Sequence, residues 1–129
     1  MRWTPRAWTL LAASSGFISV AAGAFGAHGA SDPAARELLR TGASYEMTHA
    51  LAALVCAALV TAAPMAGVAV ACFLGGSLLF CGSLYALAFG APRWVGAVTP
   101  AGGLLFLAGW LCLGWAALSA RRGSVAGKD

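Results

Sequence analysis

Gly23-Ala24-Phe25-Gly26-Ala27-His28-Gly29 closes the first long apolar segment of the chain and carries one of its two histidines. Glycines and alanines around a single phenyl ring and a single imidazole make a tightly packed element, not an ordinary loop. What precedes and follows this stretch decides the fold. Upstream, Ala7 to Ala27 is uncharged; downstream, the first acidic residue is Asp32. The stretch is therefore read as the end of a membrane-spanning helix.

Composition extends that reading to the whole chain. Hydrophobic residues make up 60% of the 129 and charged residues 9%, with a mean hydropathy of +0.82. A soluble domain carries roughly 25% charged residues. The uncharged runs between Arg6 and Asp32, Glu46 and Arg93, and Arg93 and Arg121 hold 25, 46 and 27 residues. A membrane-crossing helix needs about 20. The outer runs each suit one crossing and the middle run two. The expected fold is all-α: an integral membrane four-helix bundle forming a single domain over 1–129. Its spans are expected near 7–27, 45–63, 65–90 and 98–120, with an interfacial segment over 28–44. A short interfacial helix is expected there, with Asp32 as its cap, Pro33 in its first turn and Gly42 as its terminator. Ser44 is then expected to cap the second span, placing Glu46 in that span's first turn.

A secretory signal would share the basic start, the apolar run and the small residues Ala22-Gly23-Ala24. The four even crossings and the glycine-alanine continuation to Gly29 favour retention of this helix. The net charge of +4 comes from terminal arginines and lysine. It forms no basic groove interleaved with aromatics, so nucleic acid is not an expected partner. Cys56, Cys72, Cys81 and Cys112 fall inside the expected spans without CxxC spacing and read as small buried hydrophobes.

Small residues recur at helical spacing, where they let neighbouring backbones approach closely. The expected packing positions are Gly16, Gly23, Gly26, Gly75, Gly82, Gly90, Gly102 and Gly109. Trp110 is placed deep enough to need an internal partner for its indole N–H. Basic residues divide five to three between the two sides: Arg2, Arg6, Arg121, Arg122 and Lys128 on one, Arg36, Arg40 and Arg93 on the other. This favours both termini in the cytoplasm.

The best polar constellation is His28, Tyr45, Glu46 and His49. The last three share one side of a helix, and His28 is expected to approach them across the interfacial segment. Such a group can hydrogen-bond structurally, relay a proton, bind a cation or contact a lipid headgroup. Two histidines and one carboxylate also suit a transition metal, but H-E-x-x-H is absent and no second helix carries Glu-x-x-His. No metal, other cofactor or catalytic residue is expected.

Taken together, Gly23–Gly29, Tyr45-Glu46-Met47-Thr48-His49-Ala50-Leu51, Phe80-Cys81-Gly82-Ser83-Leu84-Tyr85, and Thr99-Pro100-Ala101-Gly102-Gly103 with Gly109-Trp110 resemble the membrane family called domain of unknown function 423, which includes the animal transmembrane protein 256. The pieces follow the family order over nearly the whole chain. Cys81 stands where serine is common in relatives, which argues against an essential hydroxyl there. The resemblance implies a multi-span protein of the bacterial inner membrane and no defined activity. It also counts against signal cleavage, since the motif crosses the candidate site. The leading expectation is an accessory or assembly subunit of a membrane complex, with the lipid bilayer and a membrane-protein complex or a homo-oligomer as partners. The alternatives are a small-solute or proton transporter or channel, and a membrane enzyme acting on a lipid or quinone.

Overall fold

The computed structural model describes residues 4–125, and side chains as far as residue 119. Arg2 and Lys128 lie outside it, as do the side chains of Arg121 and Arg122. The fold is all-α, with four principal helices. Helix α1 is Pro5–His28. Its end is set by Thr4, whose hydroxyl accepts from the Ala7 N–H at 3.3 Å, with Pro5 at the first position, where a missing N–H costs nothing. Helix α2 is Pro33–Leu59, capped by Asp32, whose carboxylate accepts from the N–H groups of Ala34 and Ala35. Helix α3 is Pro64–Ala88. A π-turn over Ser77–Cys81 interrupts it. After a 3₁₀ turn at Arg93–Val98, helix α4 is Thr99–Val125.

The helices are packed antiparallel in sequence order. Helix α1 lies along α2, α2 touches both α1 and α3, and α3 lies along α4. Three stretches are long and apolar enough to cross a membrane: Pro5–His28, Pro64–Ala88 and Arg93–Ser119. Helix α2 carries Arg36, Glu37, Arg40 and Glu46, yet it is the most enclosed element. Leu39, Ala50, Ala53, Cys56 and Ala57 are almost wholly covered. Leu10, Phe17, Leu78, Leu111 and Trp115 are exposed, as side chains facing lipid should be.

The segment between the first two expected spans forms the expected helix, and only its end differs from expectation. Its residues are helical and capped at Asp32, but the helix runs on without a break to Leu59. Gly42 does not terminate it and Ser44 does not cap a new one. Most residues around Gly42 are good helix formers, so one internal glycine costs only about 1 kcal/mol relative to alanine. Packing explains its presence. A Cβ on Gly42 would stand 2.5 Å from Cε1 of Tyr85, so only glycine admits that ring.

The expected packing glycines divide into groups. A Cβ at Gly26 would meet Leu39 Cβ at 3.0 Å, at Gly102 Phe80 Cβ at 2.7 Å, and at Gly109 Phe73 Cε1 at 2.6 Å. Gly16, Gly23 and Gly75 have ordinary contacts with Ala50, Ala43 and Leu105. Gly82 and Gly90 face open space, so spacing alone misplaced them in the packing set. Gly90 instead supplies a left-handed backbone, φ 92°, at the turn after α3. Gly76, outside the expected set, packs a Phe106 ring atom 2.5 Å from where its Cβ would stand.

Replacing Gly109 with valine is expected to destabilise the bundle by about 1–3 kcal/mol through overpacking against Phe73. Gly82→Ala should be neutral or stabilising, because it adds helix propensity in open space. Steric-trap unfolding in bicelles measures both, and equal losses would contradict the packing described.

Candidate polar site within the bundle

The register of α1 against α2 places the site. Gly26 packs on Leu39, Ser19 donates to the Ala43 carbonyl at 2.8 Å, and Gly16 contacts Ala50. Next to Gly16, Ser15 donates to Glu46 Oε1 at 2.9 Å. The other oxygen, Oε2, accepts from the Tyr85 hydroxyl of α3 at 2.7 Å. Glu46 is 5% exposed. Its carboxyl therefore ties three helices together through two neutral hydroxyls. Because α2 begins at Pro33, Glu46 stands at the midpoint of that helix, not in a first turn at the membrane face. The twelve residues that the continuous helix adds before Tyr45 amount to about 18 Å of rise.

His49 lies one turn further along α2 and is 6% exposed. Its Nδ1 contacts the Tyr45 carbonyl at 2.7 Å, and its Nε2 receives the Trp110 indole N–H at 3.2 Å. A carbonyl can only accept and an indole N–H can only donate. Both contacts require the neutral ring with its proton on Nδ1. A protonated ring would set an Nε2–H against the indole N–H. The ring also stacks on Phe106, with centroids 3.5 Å apart and planes 9° from parallel.

Tyr45 contributes its carbonyl and its ring to this second cluster. The ring stacks on Phe80 at 4.7 Å and lies 6.3 Å from Phe106. The side chain is 47% exposed. It thus borders His49 while standing on a different face of α2 from Glu46, which its neighbouring position in the helix dictates.

His28 does not join the group. It is exposed at the end of α1, which packs beside the first turns of α2, and it lies 13 residues from Ser15. That separation is about 20 Å along the helix axis. The expected meeting of His28 with Glu46 and His49 fails because 33–44 continues α2 instead of folding back across the interface. Among the described residues no group of three His, Cys, Asp or Glu side chains is placed to hold a metal ion.

Ser15, Tyr85 and Gly42 complete the Glu46 site, and only their tertiary placement reveals it. The Trp110 partner did have a sequence signal, since a deep indole N–H must find an acceptor. Ser83 donates back to the Phe80 carbonyl at 2.8 Å and contacts the Thr99 hydroxyl at 2.6 Å, so it serves the α3–α4 seam.

These observations define a small multi-pass α-helical membrane protein whose ionisable interior groups are used between helices. The family model described as a protein of unknown function (DUF423) matches residues 22–103. The chain is 42% identical over 115 residues to a UPF0382 membrane protein of Haemophilus influenzae, covering 86% of this chain and 93% of that protein. It is 41% identical over 139 residues to the UPF0382 inner membrane protein YgdD of Escherichia coli K12, covering 95% and 97%. A UPF0382 membrane protein of Staphylococcus epidermidis is 37% identical over 113 residues, covering 84% and 92%. No solved structure matches. The chain belongs to the DUF423/UPF0382 membrane protein family. It is a multi-pass protein of the bacterial inner membrane.

In ¹⁵N-histidine-labelled protein, His49 is expected as the Nδ1–H tautomer, and Trp110→Phe should shift its Nε2 resonance while leaving that of His28 in place. An Nε2–H tautomer at His49 would contradict the hydrogen bonding described. Tyr85→Phe and Glu46→Gln are expected to couple by about 0.5–2 kcal/mol in a double-mutant cycle of bundle stability.

Proposed function

We propose that the protein is a four-crossing accessory or assembly subunit of a larger membrane complex, working through its helix faces. The observation that supports this best is how the interior polar groups are used. Glu46 binds hydroxyls of α1 and α3, and His49 binds α4, so these side chains hold the bundle in one arrangement. Beyond them, towards the α2–α3 hairpin, the interior is filled by Ala52, Ala53, Cys56, Ala57, Ala66, Ala69, Val70 and Phe73. A packed apolar block there suits a rigid scaffold. Helix α2 serves as the fourth crossing because it runs antiparallel to α1 over nearly the whole of that apolar helix. Its Arg36 and Arg40 then lie near the outer surface, where long basic side chains reach headgroups. The five-to-three distribution of lysine and arginine supports both termini in the cytoplasm.

A small-solute or proton transporter is the second reading, and Glu46 favours it, since a carboxyl at mid-membrane depth marks many ion pathways. The two readings separate in proteoliposomes and in native membranes. The accessory reading expects stoichiometric recovery with one membrane complex in mild detergent, and no saturable proton or solute flux from the purified protein. Flux abolished by Glu46→Gln would replace it with the transporter.

Topology has its own check. In a cysteine-free variant, single cysteines at Ala30 and Arg93 are expected to react with an impermeant maleimide from the periplasm, and one at Ala62 only after permeabilisation. Labelling of Ala30 and Ala62 from the same side would remove α2 as a crossing.

A further inference from the structure

A lateral cleft opens between α1 and α3 beside Glu46. Its volume is about 290 Å³, and its floor carries Ser14, Ser15, Glu46 and Ser77. Ser77 is 5% exposed, and its hydroxyl is a buried side-chain polar atom without a hydrogen-bond partner among the described residues. It is the first residue of the π-turn, a distortion often found where a helix serves a binding role. The Ser14 and Ser15 hydroxyl protons are committed to the Leu10 carbonyl and to Glu46. Lone pairs on those two oxygens, on Ser77 and on the carboxyl remain for an incoming group. The wall of the cleft is mostly apolar, with Leu11, Ile18, Leu74 and Leu78, and its few acceptors gather around a carboxyl whose partners in the chain are neutral. His49, the nearest histidine in sequence, spends both nitrogens elsewhere.

The cleft does not stand alone. A second hollow of about 290 Å³, bounded by Ala21, Ala22 and Phe25 of α1 and by Phe89, shares Ile18 with it. The two hollows follow one another along α1 on either side of Ile18, from Leu11 to Phe25, or about 20 Å of rise. Along this groove the polar hollow lies at the middle of the helices and the apolar one runs towards one membrane face. A phospholipid has the opposite layout, with its polar head at the surface. A transmembrane helix with one polar side chain at mid-span has the matching one.

We propose that this groove docks a transmembrane helix of a partner protein, with a lysine or arginine at its centre entering the cleft to meet Glu46 and Ser77. Charge complementarity selects the occupant: an ammonium with three N–H groups or a guanidinium with five can donate to the Glu46 carboxyl and to a serine oxygen beside it, and a partner carboxylate brings only further acceptors. Exposed Ser14 and Ala21, with half-buried Ala22, keep the α1 side of the groove shallow enough for a helix backbone to approach. The proposal rests on the accessory-subunit reading and names the face and the chemistry of its contact.

The test uses the full chain in phosphatidylcholine vesicles with Leu-Ala transmembrane peptides bearing lysine, leucine or glutamate at the centre and a neighbouring photo-crosslinker. The lysine peptide is expected to cross-link saturably at Leu11, Ile18 or Leu78, with about a tenfold preference over the leucine peptide. Glu46→Gln should erase that preference. Ala21→Phe, which fills the apolar part and leaves the Glu46 hydrogen bonds intact, should weaken capture about tenfold. Equal capture of lysine and leucine peptides overturns the proposal, as do cross-links confined to other faces, full capture by Ala21→Phe, a lipid retained against the lysine peptide, or cross-linking of this face to a second copy of the chain. A native complex that contacts another face leaves the accessory reading standing and removes the groove. Lysine-peptide capture without any native complex supports the groove and removes the accessory reading.

Discussion

A carboxyl in the middle of a membrane bundle is tolerable only if its oxygens find donors, and Glu46 finds them on two other helices. Ser15 supplies one from α1 and Tyr85 the other from α3. Lipid provides no water to replace either, so the positions of three helices are linked through one side chain. Tyr85 can reach Glu46 because Gly42, one turn earlier on the same face of α2, leaves room for its ring. The helix accepts a residue of poor propensity at Gly42 in return for that hydrogen bond.

The rest of the architecture follows from α2 being the shared element. It presents Glu46 towards α1 and α3, and His49 towards α4, so hydrogen bonds take the place of the hydrophobic driving force that lipid withholds between apolar helices. The α3–α4 seam uses a different device. Gly76 and Gly109 admit the rings of Phe106 and Phe73, and Gly102 admits the backbone and Cβ of Phe80, at distances that no Cβ would permit. His49 joins the two devices, since its ring stacks on Phe106 while its nitrogens bridge Tyr45 and Trp110.

Tyr45, Glu46 and His49 were legible as a polar group because helical spacing fixes which residues neighbour one another on a single helix. Their division was not. Tyr45 and His49 belong to the aromatic cluster with Phe106, while Glu46 turns to Ser15 and Tyr85, and this depends on which helices surround α2. His28 was misplaced for a related reason. Asp32-Pro33 announces a helix start in sequence, but Gly42 and Ser44 carry the marks of an end and a new start. Local signals of that strength yield to a favourable tertiary contact, as Gly42 does to Tyr85. Gly82 and Gly90 show the same limit: a regular spacing of small residues says that a close approach is possible, not that a neighbour is there.

The order of residues alone made the solvent and the element type legible. Long uncharged runs cannot be covered by so small a chain in water, and in lipid the backbone must satisfy its own hydrogen bonds, which leaves helices of membrane-crossing length. It also determined the starts of α1, α2 and α3, where Pro5, Pro33 and Pro64 have no N–H to lose. The depth of Glu46, the exclusion of His28 and the cleft at Ser77 emerge from helix packing alone. Each depends on the register between two helices. Register is set by side chains far apart in the chain, such as Ser15 with Glu46 or Gly42 with Tyr85, and no local pattern encodes their meeting.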